Sequence, residues 1–131
     1  MQEVAQKPSL SGAMAQGLME LLSSWGNTTT IVILQGCVFE FKGIFPEGSV
    51  GHGYFNLSGG IPGLSGHIRL EAIARIGFQD RPHRGKSSYA FVFEDSDGKA
   101  IFKVFLGRDE RGEIHSGQLE AFNKIRQRQA L

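Results

Sequence analysis

Cysteine is almost missing from this chain. Cys37 stands alone, so no internal disulfide forms, and a reducing compartment is favoured. Charge of one sign is missing too. Fourteen Lys and Arg against thirteen Asp and Glu leave a net +1, too little to draw the protein to nucleic acid or to an anionic membrane. The apolar runs are short, far below the ~20 residues of a membrane-spanning helix, which argues against insertion. The first residues, MQEVAQKPSL, lack the basic start and apolar stretch of a signal peptide, so the expected location is cytoplasmic. Catalytic signatures are sparse as well. No CxxC, HExxH or GxxxxGK[ST] occurs, which removes structural zinc, metallopeptidase and P-loop chemistry. GLSGH ends in His67 where a nucleophile elbow needs glycine. Glu40, Glu71 and Glu94 sit in or beside separate strands with no acid–base spacing. Internal repeats and low-complexity segments are lacking.

What is present is an ordinary globular composition, 40% apolar and 21% charged over 131 residues. That length fits one domain over residues 1–131 and buries roughly 65–70% of the unfolded surface. Residues 1–8 end at Pro8 and read as a loose tail. Leu10, Met14, Leu18, Leu21, Leu22 and Trp25 follow at helical spacing, weakened by Gly12 and Gly17, with Gly26 placed as a C-cap. From Thr28 the period changes. TTTIVIL and CVFEFKG flank a Gln35-Gly36 turn; HGYFNLS and GHIRLEAIARIGF are further strands; SSYAFVFE and KAIFKVFLG flank Asp95–Gly98 as a hairpin. SGQLEAFNKIRQRQAL closes as an amphipathic helix with Ser116 as N-cap and Leu119, Phe122 and Ile125 as its core stripe. The order predicts an α+β fold: a strongly bent antiparallel sheet of six or so strands over about 28–106, with helices near 10–24 and 116–128. Phe91, Phe93, Phe102 and Phe105 exceed what one small core needs, which predicts a homodimer.

Residues 50–70, VGHGYFNLSGGIPGLSGHIRL, crowd two histidines, a tyrosine and six glycines together. Residues two apart in a strand share a face. His52, Tyr54 and Asn56 then share one, His67, Arg69 and Glu71 another, and pairing the strands with their apolar faces aligned joins them in one patch. The same residues also suit an ordinary wet sheet face, with the glycines only shaping turns. Phenolate and imidazole are both haem ligands, and arginine holds carboxylates. His83, in DRPHRGKS, reads as solvated loop, and His115 as local capping of the last helix.

WGNTTTIVI, FPEGSVGHGYFNL, GLSGHIRLEAIARI and KVFLGRDERGEI together resemble the ChuX/HutX family of cytoplasmic haem-utilisation proteins, in the family's order from Trp25 to about Phe122. The resemblance implies a fold similar to one half of the HemS/ChuS haem proteins and a homodimer. It also implies reversible binding of ferric protoporphyrin IX as cargo, with hand-over to a haem-degrading partner. Position by position it makes Tyr54 the first iron ligand and His67 the second or a pocket wall, beside His52 and Arg69. The propionates are expected on Arg69, Arg75, Arg81, Arg84 or Lys103. Two departures stand out: Ile33 occupies a strand position where some relatives carry histidine, and the stretch before Trp25 is short. The rival readings are a haem-degrading oxygenase and a dimeric module that no longer binds haem. A visible spectrum with ferric haem separates all three.

Overall fold

The computed structural model describes residues 7–58 and 63–131. Its strands are β1 (Ser9–Ser11), β2 (Asn27–Leu34), β3 (Cys37–Ile44), β4 (Gly48–Gly51), β5 (Tyr54–Ser58), β6 (Ser65–Arg69), β7 (Arg75–Asp80), β8 (Tyr89–Glu94) and β9 (Ala100–Leu106). The helices are α1 (Ala15–Leu22) and α2 (Ser116–Arg128), with 3-10 turns at Gly12–Met14 and Leu70–Ala72. All the pairings are antiparallel, and the class is α+β.

The single bent sheet of the sequence reading is replaced by two: a six-stranded sheet in the order β1-β7-β8-β9-β2-β3 and a three-stranded one in the order β4-β5-β6. The expected strand from Gly66 to Phe78 breaks at Leu70–Ala72 because its ends belong to different sheets. The Leu70 N–H donates to Gly53 O at the small sheet, and the Ala74 N–H donates to Glu94 O at the large one. The first helix begins at Ala15 rather than Leu10, because Ser9–Ser11 pair with β7 instead. Gly12 is required at that junction, since a Cβ there would lie 2.0 Å from Ile73 O. Gly26 is left-handed at φ 81, but α1 has already ended at Leu22, and the Ser23 and Ser24 hydroxyls bond the carbonyls of Glu20 and Leu21. His115, not Ser116, holds the N-cap position of α2, without a side-chain capping bond. Of the expected tail, residues 1–6 lie outside the described residues; Lys7 and Pro8 are exposed.

One face of the large sheet carries Ile76, Phe91, Phe93, Phe102, Val104 and Leu106 into the core, covered by Leu18, Met19 and Leu22 of α1 and Phe122 and Ile125 of α2. Phe55 and Leu57 bring the small sheet onto the same core. Phe93 and Phe102 stack with ring centroids 4.2 Å apart, and Phe91 meets Phe122 at 4.9 Å. Each of these rings is worth about 3–5 kcal/mol against alanine. Three of the four aromatics that motivate the dimer expectation therefore fill the chain's own core; only Phe105 is turned to the other face. Exposed apolar surface gathers instead on the β2–β3 hairpin, where Leu34, Val38 and Phe39 are 58–63% exposed and β3 is a sheet edge.

A buried amide ties the last helix to the large sheet. Gln118 donates through Nε2 to Trp25 O and Asn27 O, both at 2.9 Å, and accepts the Gly107 N–H on Oε1 at 2.7 Å. Gly107 must lack a side chain, because a Cβ would lie 1.9 Å from Asn27 O. Gln118→Leu fills the same space but strands one buried and two part-buried backbone groups, so we expect a loss of about 2–4 kcal/mol. Urea unfolding checks this, and an unchanged midpoint would count against the role.

Candidate functional site

The small sheet builds the first half of the site. Its register sets Tyr54 opposite Arg69 and Asn56 opposite His67, which puts these four on one outward face. Phe55 and Leu57 alternate into the core, fully and nearly fully buried. Tyr54 is 39% exposed, and its ring meets that of His67 edge-on, 6.2 Å between centroids. His52 does not share this face. It lies with Gly53 in the two-residue turn between β4 and β5, at φ 54 and 81, because the strands end at Gly51 and Tyr54. Of the six glycines in this stretch, Gly59 and Gly60 lie outside the described residues.

Asn56 decides the state of His67. Its Nδ2 donates to the carbonyls of Ser49 and Gly51 at 3.2 and 3.4 Å, which fixes the amide so that Oδ1 faces His67 Nδ1 at 2.6 Å. Oδ1 only accepts, so Nδ1 carries the proton and the Nε2 lone pair is left for a ligand. Arg69 is less available: its guanidinium pairs with Glu71 at 2.9 Å, with both side chains mostly exposed. What this face lacks is an apolar floor, since the aliphatic and aromatic alternates of β5 are inside the core.

A second feature went unseen in the sequence. A cleft of about 760 Å³ lies on the face of the large sheet turned away from the helices. Registers explain its lining: Ile31 pairs with Lys103 and Glu40, Ile33 with Val38, and Thr29 with Phe105 and Lys42. Ile31, Ile33 and Phe105 give it an apolar floor. Lys42, Arg81, Arg84, Lys103 and Arg108 give it a cationic wall, with Glu40 as the acidic residue. Burial, and next the neighbouring Arg81, hold the Lys103 amine below the usual lysine range. Lys103 Nζ donates to Gln79 Oε1 at 2.7 Å. Lys42, Arg81 and Arg84 form no ion pair among the described residues. Arg108 is spent on the carbonyls of Gly112 and Ser87.

The sequence-derived site residues divide accordingly. Tyr54, His67 and Arg69 come together on the small sheet with His52 beside them in the turn, and none of the four lines the cleft. Of the residues expected for the propionates, Arg81, Arg84 and Lys103 line the cleft, whereas Arg75 is paired with Glu94 at 3.4 Å. His115 is structural, its Nε2 lying 2.6 Å from Asn27 Oδ1. His83, read as solvated loop, is exposed but lines the cleft. The cleft was hidden because its residues are spread over five chain segments. Thr29, Ile31 and Ile33, every second residue of TTTIVI, were its local trace. Among the described residues no group of three or more His, Cys, Asp and Glu could hold a bare metal ion. One or two protein donors are what an iron already held by a macrocycle requires. No helix among the described residues is long and apolar enough to cross a membrane.

Comparison with known proteins gives the family and the fold. The family model described as haem utilisation ChuX/HutX matches residues 9–125. The intracellular heme transport protein HutX of Vibrio cholerae is 39% identical over 118 residues, 90% of this chain, so the chain spans 61% of that relative's length. The solved structure of the heme binding protein ChuX is 33% identical, with a TM-score of 0.82 over 93% of this chain and 76% of that one. ChuS, an E. coli heme oxygenase, is 22% identical and shares the fold alone, with a TM-score of 0.71 over 94% of this chain and 38% of that one. The expected likeness to part of ChuS is thus met, and this chain belongs to the ChuX/HutX haem-utilisation family.

Proposed function

We propose that the protein is a cytoplasmic haem carrier that binds ferric protoporphyrin IX reversibly as cargo, buffers it and passes it to a haem-degrading protein. One observation carries the reading: the small sheet offers iron ligands without an apolar floor, and the cleft offers an apolar floor and cations on a different face. A porphyrin with two carboxylates needs both. Two copies of the chain supply both, with Tyr54 of one copy on the iron and the cleft of the other under the ring. Arg81, Arg84 and Lys103 take the propionates, and an anion beside Lys103 relieves the burial that disfavours its charge. Heme transport and heme binding in the relatives' names support the same reading.

Tyr54 is the ligand of choice because a phenolate is a hard anion that favours ferric iron. Reduction then weakens the bond and gives a release route. His67, with Nε2 free, is the alternative ligand. A site built across two open surfaces sheds its cargo more easily than a sealed pocket does.

Ferric haem should produce a stable visible band. Tyr54→Phe should stay folded, lose the phenolate charge-transfer absorption and release haem faster; His67→Ala should do less. An unchanged Tyr54→Phe spectrum with a changed His67→Ala spectrum would make His67 the ligand. No band at all would favour a module without haem, and loss of the band with reductant and oxygen would favour an oxygenase.

Light scattering should give twice the chain mass of 14.3 kDa at micromolar concentration. Phe39→Asp, which charges the exposed hairpin face, should shift the protein toward monomer and weaken haem binding with it. A wild-type mass of one chain would remove the two-copy site.

A further inference from the structure

Resting on the haem-carrier reading, we infer that His83 is a second protein ligand to the haem iron, supplied from the wall of the cleft. No comparison assigns it a role, and its neighbours in the sequence, Arg81, Pro82 and Arg84, disguise it as ordinary charged loop.

Its support is rigid for a residue outside the main strands. His83 and Lys86 exchange both backbone hydrogen bonds, at 2.7 and 3.1 Å. Arg84 and Gly85 complete a two-residue turn with both residues left-handed, at φ 52 and 80. The imidazole is therefore carried on a closed miniature hairpin that lines the cleft.

Its chemistry is uncommitted. The rings of His67 and His115 are each held at 2.6 Å by an asparagine oxygen. The ring of His83 makes no hydrogen bond among the described residues, so either nitrogen can present the imidazole lone pair. In the same cleft, Ile31, Ile33 and Phe105 offer an apolar surface for a flat ring, and Arg81 and Arg84 flank His83 with unpaired cations. A molecule that is flat, apolar at its centre, doubly anionic at one edge and open at a metal matches all three features. Ferric haem is such a molecule, and neutral imidazole binds its iron.

The alternative role for His83 is one more positive group for the carboxylates. Spin state separates the two. With Tyr54 and His83 both on the iron, the wild-type complex is six-coordinate. His83→Gln keeps a polar side chain of similar reach without a strong ligand, and it disturbs no side-chain bond within the described residues. It should turn the visible and electron paramagnetic resonance spectra to those of a five-coordinate phenolate complex. Haem release should quicken about tenfold. Free imidazole should restore the six-coordinate spectrum. Arg81→Gln serves as the contrast: it should weaken binding about tenfold through the carboxylates and leave the spectrum unchanged. If His83→Gln binds haem with the wild-type spectrum, His83 is not a ligand, whether or not affinity falls. If the wild-type protein gives no haem band at all, it is the carrier reading that fails.

Discussion

The buried amide of Gln118 is the constraint on which the large sheet depends. It binds three backbone groups at once: the carbonyls of Trp25, just ahead of β2, and of Asn27, its first residue, and the Gly107 N–H just after β9. These groups lie where the two adjacent strands begin and end. Left unpaired they would cost about 2–4 kcal/mol together. With them satisfied, α2 is fixed against the sheet, and Phe122 is placed on Phe78 of β7 and on Tyr89 and Phe91 of β8. The Asn27 side chain extends the junction to Arg108 O and to His115. The WGN and FLGRD stretches thus meet in space, and the parts of them at this junction hold architecture rather than cargo.

The register of β2 against β9 has a functional consequence. Thr28, Thr30, Val104 and Leu106 turn inward, which forces Thr29, Ile31, Lys103 and Phe105 outward onto the cleft. A slip of one residue would exchange these sets. The same period of two operates in β5, where burying Phe55 and Leu57 obliges Tyr54 and Asn56 to face out. The Tyr54–His67 face and the cleft are therefore by-products of how the core is filled, and the core lies between them. In the proposed complex that separation is bridged by a second chain, so binding is linked to assembly. Linkage of that kind suits the proposed carrier, which gives its cargo up.

The α+β class, the Gln35-Gly36 and Asp95–Gly98 turns, the shared outward face of Tyr54 and His67, and the end helix near 116–128 were legible in the sequence. They follow from local rules: side-chain period, turn residues and apolar stripes act over a few neighbours. The family was legible too, through HGYFNL, SGHI and FLGRD. The family match and the similar solved structures agree with that reading. Tertiary structure alone decided the rest. The break at Leu70–Ala72 exists because Gly53 O and Glu94 O, far apart in sequence, claim the two ends of one segment. Ser9–Ser11 became a strand rather than a helix start because β7 offered an open edge. His52 left the ligand face because the turn needed two residues. The cleft gathers single residues from strands that become neighbours only after folding, and no local pattern records which strands those will be.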